Sequence, residues 1–213
     1  TSLISVKDAL VRPAPVFKSL YKTYEESDFV DVVIRNVSQD PLSVTVSIEI
    51  PTLTKIPHEE TITLPPQSTQ RYGFKLTFPQ DLLATQSSYY DNLVQPTVKV
   101  SYPSGRSTKT TTKKLGSIYV LGKGKLSWSN PKRIGAFITP ESRTVENFAR
   151  GVVSNYVDLL QRKFPHNNMG KAALVFDALS TYGLRYQQDQ TTPYLEIFED
   201  DSVFDTVKYP YEF

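Results

Sequence analysis

Residues 42–50 read Leu-Ser-Val-Thr-Val-Ser-Ile-Glu-Ile, so apolar and polar side chains alternate along this stretch. Successive side chains of a β-strand point to opposite faces, and the alternation therefore predicts a strand that is buried on one face. Residues 28–35 carry a similar apolar pattern, and turn-forming residues 36–41 separate the two stretches. We expect the two stretches to pair as a β-hairpin.

Alternating stretches continue to about residue 128, with turn signals between them, and centre on residues 72–78, 97–102 and 118–120. Roughly six to eight short strands of this kind predict an antiparallel β-sandwich of the immunoglobulin type. Residues 107–114, STKTTTKK, predict an edge strand, because lysine on an edge opposes pairing with other molecules. A strip that binds phosphate or nucleic acid is the functional alternative for this segment.

The architecture changes near residue 140. Of the 15 prolines, 12 lie at or before Pro140, and the excess of basic residues before it gives way to an acidic excess after it. Apolar residues then recur at helical spacing, at Val145, Phe148, Ala149, Val152, Tyr156, Leu159 and Leu160 and again at Met169, Ala172, Ala173, Phe176 and Leu179. The sequence therefore predicts an α+β protein, with a β-sandwich over 1–140 and a helix pair with a loop-rich acidic tail over 141–213.

The helix ends have sequence signals of their own. Thr144 is the expected N-cap of the first helix, and Asn167 or Asn168 that of the second. Gly183 suits the left-handed position just after the second helix. Leu174 and Val175 make the second helix apolar over more than one face, so we expect it to need burial from several sides.

Composition excludes several function classes. The net charge is +2, whereas a dedicated nucleic-acid binder usually carries a strong basic excess. No apolar run approaches the length of about 18 residues that a transmembrane helix needs. The sequence contains no cysteine, which rules out a disulfide, a thiolate metal site or a cysteine nucleophile within it.

Individual residues give weak site signals. His58 and His166 each sit beside a proline in an expected loop, and no convergent set of ligands accompanies them, so we predict no metal site and no cofactor. The acidic run 199–201 lacks the spacing of a calcium loop. Residues 122–125, Gly-Lys-Gly-Lys, are better explained as a turn between strands than as a phosphate loop. Trp128, Tyr89 and Tyr90 are residue types that stack on sugars, but with 13 tyrosines exposed tyrosine is expected by chance, and tryptophan is more often a core or domain-junction residue.

A family resemblance extends over about the last 85 residues. Its carrying segments are residues 126–140, 145–159, 169–189 and 205–213. Within them, residues 183–189 read Gly-Leu-Arg-Tyr-Gln-Gln-Asp and residues 205–212 read Asp-Thr-Val-Lys-Tyr-Pro-Tyr-Glu. This order resembles the entry into a bacterial transglutaminase-like, papain-type domain. The matching positions, which the resemblance marks as scaffold and not as catalytic residues, are Tyr186, Asp189, Asp205, Tyr209, Pro210 and Glu212.

The resemblance implies that these residues have a non-catalytic role. In the family, a Gly-Asp-Cys type motif comes next and its cysteine opens the catalytic helix; this sequence ends about where that motif is expected. The β part is similar to immunoglobulin-like domains that precede such cores in exported bacterial proteins, which implies an extracytoplasmic location. We expect a non-catalytic N-terminal region whose partner is another protein or the remainder of its own core.

The main hypothesis has one consequence for the second helix, and two other functions stand beside it. If the second helix lacks its covering partner, its apolar surface should cause self-association. A self-contained, non-enzymatic module that binds a protein or a glycan is the alternative function. A carbohydrate-active enzyme that uses paired carboxylates has little to support it, because no pair stands out in the acidic tail.

Overall fold

The computed structural model describes residues 2–163, 168–184 and 204–212. The fold is of the mixed α+β class. Contacts divide the chain into two compact units, Thr1–Lys125 and Leu126–Phe213. The change of architecture expected at residue 140 therefore falls within the second unit, where the first α-helix starts shortly after that residue.

The first unit is built mainly from strands. Its strands are β1 (Ile4–Val11), β2 (Val16–Phe17), β3 (Val30–Asn36), β4 (Leu42–Glu49), β5 (His58–Leu64), β6 (Thr69–Phe74), β7 (Asn92–Val94), β8 (Thr97–Ser104), β9 (Ser107–Lys114) and β10 (Ile118–Leu121). A short helix, α1 (Tyr21–Tyr24), follows β2, and 3-10 turns occupy Lys18–Leu20 and Gln86–Tyr89.

The strands form three sheets. One antiparallel sheet has the order β1-β3-β6, and a second has the order β5-β4-β8-β9. In the third sheet, β2-β10-β7, the central strand β10 pairs with β2 in parallel and with β7 antiparallel. Buried side chains from both larger sheets belong to a single hydrophobic core.

The predicted hairpin between residues 28–35 and 42–50 is wrong. Both stretches are strands, β3 and β4, but they lie in different sheets. Val32 of β3 and Val46 of β4 are both wholly buried in the shared core. Two strands that are each strongly apolar on one face stabilise the fold most when those faces pack against each other across the core. The connection 36–41 therefore crosses between sheets.

The strand predictions for the end of this unit are confirmed. β8 and β9 form a hairpin whose turn contains Gly105, with a φ of 65°. That left-handed conformation suits glycine, which has no Cβ to clash. β9 lies at the end of its sheet with most of its side chains exposed, as expected for an edge strand.

The second unit is mainly helical. The strand β11 (Lys125–Leu126) begins on the last residue of the first unit. The second unit then contains a 3-10 segment (Pro131–Phe137), α2 (Arg143–Asn155), α3 (Val157–Lys163), α4 (Asn168–Thr181), β12 (Asp205–Thr206) and a final 3-10 turn (Pro210–Glu212). The N-cap of α2 is Ser142, so the expected cap Thr144 lies inside the helix. Gly183 follows α4 with a φ of 83°, as predicted. Among the described helices, none is both long enough and apolar enough to cross a bilayer.

Candidate functional site

Two of the segments that carry the family resemblance meet in the second unit. Trp128 follows β11, and its indole N–H donates a hydrogen bond of 3.1 Å to Oδ2 of Asp205 in β12. The two residues are separated by 77 positions in the sequence. An indole N–H has no acceptor function and is best satisfied by an oxygen such as this one. Trp128 is thus a packing residue of the second unit, and Asp205 is its hydrogen-bond acceptor.

Tyr209 is the centre of a small aromatic cluster. It is 1% exposed, and its ring centroid lies 4.9 Å from that of Phe137 and 5.3 Å from that of Tyr211. Its backbone N–H donates a 2.9 Å hydrogen bond to Oε2 of Glu212, and Pro210 begins the intervening 3-10 turn. These residues hold the segment in shape, and their side chains make no arrangement of acid, base and nucleophile. The matching positions Tyr186 and Asp189 lie outside the described residues, as do His166 and the acidic run 199–201.

The helices of the second unit expose apolar side chains. Helix α4 packs against α2, with an edge-to-face contact of 5.9 Å between the rings of Phe148 and Tyr182. The face of α4 that carries Leu174 and Val175 is half-buried. The opposite face contains the predicted apolar stripe, yet Met169 is 70% exposed and Phe176 is 73% exposed. The burial from several sides that the sequence of α4 calls for is therefore not supplied on this face.

Metal chemistry finds no support in the part of the chain that the structure describes. No group of three or more histidine, cysteine or acidic side chains converges there. His58 was expected in a loop but opens β5, where its Nε2 lies 3.7 Å from Oε2 of Glu60. The loop prediction failed because proline is disfavoured among the hydrogen-bonded residues of a sheet but is allowed immediately before a strand, where Pro57 lies.

The first unit contains a cleft that sequence reasoning missed. It has a volume of about 310 Å³, which is at the lower end of ligand-binding pockets. One wall is the turn after β4, residues 52–55, and the other is formed by residues of the segment 79–92. An ion pair of 2.5 Å between Lys55 and Asp81 joins the two walls. The hydrogen bond from Lys55 lowers the pKa of the Asp81 carboxyl below its ordinary value.

Lys18 lies at the base of this cleft and is 2% exposed. Its Nζ donates to the carbonyl oxygens of Ser87 at 3.4 Å and Tyr90 at 3.0 Å, and to Oδ1 of Asn92 at 3.3 Å. Desolvation lowers the pKa of Lys18, and the nearby Asp91 carboxylate opposes that shift. A lysine with a lowered pKa in a cleft is a candidate nucleophile. Here all three N–H groups are used, so the geometry favours a structural ammonium that anchors the cleft wall.

A second buried lysine holds the same wall from another side. Lys123, 5% exposed, donates from Nζ to the carbonyl oxygen of Leu83 at 3.2 Å and lies 4.1 Å from the centroid of the Tyr89 ring. Beside it, the Gly122 N–H donates to Oδ1 of Asp91 at 2.7 Å. The predicted turn at 122–125 is confirmed between β10 and β11. Its position against the wall had no sequence signal, because Lys18 and Lys123 are ordinary lysines far apart in the chain.

The turn 50–54 has an unusual backbone. Thr52 has a φ of 69°, and the Leu53 N–H donates to the Ile50 carbonyl at 3.1 Å, which closes the turn. A β-branched residue at positive φ is rare, and glycine or asparagine is the usual choice at this turn position. The Thr54 hydroxyl also bonds both the N–H and the carbonyl of Ile50, which fixes this wall of the cleft.

Comparison with known proteins gives little. No family model matches the sequence, and no curated protein matches it. Among solved structures, the crystal structure of a protein from Archaeoglobus fulgidus is similar, with 14% sequence identity and a TM-score of 0.33. That similarity covers 54% of this chain and 95% of the archaeal one.

Proposed function

We propose that this chain is a non-catalytic region of a transglutaminase-like protein, in which the second unit docks against the core that carries the cysteine. The observation that carries the proposal is the exposed apolar face of α4, which we define by Met169, Ala172, Ala173 and Phe176. Contiguous exposed apolar surface of this kind marks interaction sites in proteins. In the resembled family, the corresponding helix pair leads to the catalytic helix.

The residues of the family resemblance support a scaffolding role. Asp205 bonds Trp128, and the Tyr209 backbone bonds Glu212, so these groups are used to hold the second unit together. The sequence has no cysteine, and acyl transfer of the transglutaminase type needs a thiolate with a histidine to activate it. In this proposal the β-rich first unit is the accessory or partner-binding part. Its two antiparallel sheets support an immunoglobulin-like assignment. The extracytoplasmic location in this proposal rests on the family resemblance alone.

Self-association tests the exposed face of α4. We expect the purified chain to self-associate at micromolar concentration in sedimentation velocity and to bind a hydrophobic dye. Phe176→Ser should reduce both, and its free energy of unfolding should change by less than about 0.5 kcal/mol, because the side chain is already exposed.

The matched control is Leu93→Ser, which removes an apolar side chain of the first unit that is 61% exposed. The control should leave association unchanged. A wild-type chain that is monomeric and binds no dye would favour the self-contained interaction module and count against a docking face. An equal effect of both variants would do the same.

A second assay tests the absence of acyl transfer. We expect no incorporation of a fluorescent primary amine into casein by the purified chain. Cysteine-independent incorporation that depends on the chain would overturn the non-catalytic assignment.

A further inference from the structure

The walls of the cleft in the first unit are held by contacts within the protein. The Lys55–Asp81 ion pair ties its two walls together, and Lys18 and Lys123 fix the wall formed by the segment 79–92. A pocket whose walls are held in place loses little conformational freedom on binding, which favours affinity for a small molecule.

The cleft is lined by hydroxyl-bearing residues, by the charged Lys55 and Asp81, and by an apolar floor. Leu53 and Leu82 are buried at its base, and Pro79 adds a further apolar surface. Four of the hydroxyls around them bond within the protein: Thr54 to the Ile50 backbone, Ser88 to the carbonyl oxygens of Leu83 and Thr85, and Thr85 and Ser87 to each other. Thr52 and Tyr90 also line the cleft, and their hydroxyls make no such bond to the residues that the structure describes. A hydroxyl both donates and accepts hydrogen bonds, so Thr52 and Tyr90 suit a ligand whose own groups are hydroxyls.

The lysines that line the cleft, Lys18 and Lys55, argue against an anion as the ligand. Lys18 has its three N–H groups on three protein oxygens, and Lys55 is paired with Asp81. The Asp81 carboxylate would also repel a phosphate or carboxylate at the mouth of the cleft. Side by side, however, an ammonium donor and a carboxylate acceptor match the two neighbouring hydroxyls of a sugar ring.

Tyr90 and Thr52 complete the match. Tyr90 is 60% exposed and lines the cleft, and an aromatic ring of this kind can cover the apolar C–H face of a sugar. Thr52 occupies a backbone conformation that glycine would adopt at lower cost, and it brings to the cleft a hydroxyl that glycine lacks.

We propose that the cleft between residues 52–55 and the segment 79–92 binds a neutral pyranose unit of a saccharide, with the Lys55–Asp81 pair on two adjacent ring hydroxyls. The site lies wholly in the first unit and does not depend on the docking role of α4.

Saturation-transfer NMR on the full chain tests the proposal, with maltose, cellobiose, lactose, mannobiose and chitobiose at millimolar concentration as probes. At least one sugar should show transfer to its ring protons. Asp81→Asn should weaken its Kd by about tenfold or more, and Thr52→Gly should also weaken it without loss of stability. Glu146→Gln is the matched control, because it breaks an exposed ion pair with Arg150 in α2, and it should leave the Kd unchanged.

Each other outcome overturns the proposal. Absence of transfer from every sugar removes the saccharide assignment, and so does binding that Asp81→Asn leaves unchanged. Titration with inorganic phosphate is the competing arm: phosphate binding that Lys55→Met abolishes, with no sugar bound, would make the cleft an anion site. The variants of this test change residues of the first unit and leave the α4 face as it is. Absence of sugar binding is therefore distinguishable from absence of self-association, which tests the docking role.

Discussion

At the scale of single residues, Gly122 shows how a backbone contact can demand one amino acid. A Cβ added there would lie 2.1 Å from the Tyr89 carbonyl oxygen, which is backbone and cannot swing away. The Gly122 N–H also bonds Asp91, so the two strands of chain are held at this close approach. Gly122 is therefore a packing requirement of the cleft wall.

Gly122→Ala should lower the free energy of unfolding by about 2 kcal/mol, because the clash forces the wall away from the turn. Urea denaturation measures the change. Gly116→Ala is the control, since nothing lies within 4 Å of the Cβ it would add, and it should change stability by less than about 0.5 kcal/mol. Equal losses for both variants would contradict the steric argument.

The Asp81 carboxyl gives a second prediction for a single residue. Its pKa is lowered by the hydrogen bond from Lys55, so in the wild type it should titrate below the ordinary value of 3.8. The pair then stabilises the fold above that ordinary value, and the contribution is lost as the pH falls through the lowered pKa. In Lys55→Met the pKa should rise toward 3.8, as followed by the ¹³C shift of the carboxyl carbon. An unchanged pKa would show that Lys55 is not its partner.

At the scale of elements, Lys18 anchors the segment 79–92. Removal of the ammonium leaves the carbonyl oxygen of Tyr90 and Oδ1 of Asn92 without the donor that Lys18 supplies, whereas the Ser87 carbonyl keeps its bond from the Tyr90 N–H. A buried acceptor without a partner raises the free energy of the folded state. This cost outweighs the free energy gained by no longer burying a charge.

Lys18→Met keeps the volume of the side chain, and it should destabilise the first unit by about 2 kcal/mol. It should also speed amide hydrogen exchange over residues 86–92. Lys99→Met, a change at an exposed position of β8, provides the control and should alter neither quantity. If exchange over 86–92 stays slow in Lys18→Met, the lysine does not hold the segment.

Helix α4 shows what hydrophobic pattern can and cannot predict. The recurrence of apolar residues gave the correct helix and its end at Gly183. The face that packs was not predictable, because Leu174 and Val175 compete with Met169 and Phe176 for the partner helix α2. A helix that is apolar on two sides can bury only one of them against a single neighbour.

At the scale of the whole molecule, the two units differ in how much core they contain. The main hydrophobic core runs from Ile4 to Val120 and lies entirely in the first unit. The buried apolar residues that the structure describes in the second unit are Leu126, Phe137, Leu160 and Tyr209. The first unit therefore has the elements of an independently folding domain.

The fragment 1–125 should accordingly fold alone and unfold in one cooperative transition, as measured by circular dichroism and by tyrosine fluorescence. The fragment 1–96, which lacks β8, β9 and β10 and with β8 the wholly buried Val98 and Val100, should not fold. A gradual, non-cooperative transition in 1–125 would show that its core is incomplete.

The sequence alone determined the α+β class, the strands β3, β4, β6, β8, β9 and β10, the helices α2 and α4, and the end of α4 at Gly183, because these depend on local periodicity and on the freedom of glycine. It also established that no cysteine chemistry resides in these residues. Tertiary structure decided that β3 and β4 face each other across a core, that Trp128 meets Asp205, and that Lys18, Lys55 and Asp81 surround one cleft. These pairings join residues distant in sequence, and periodicity within one segment carries no information about which other segment will cover it.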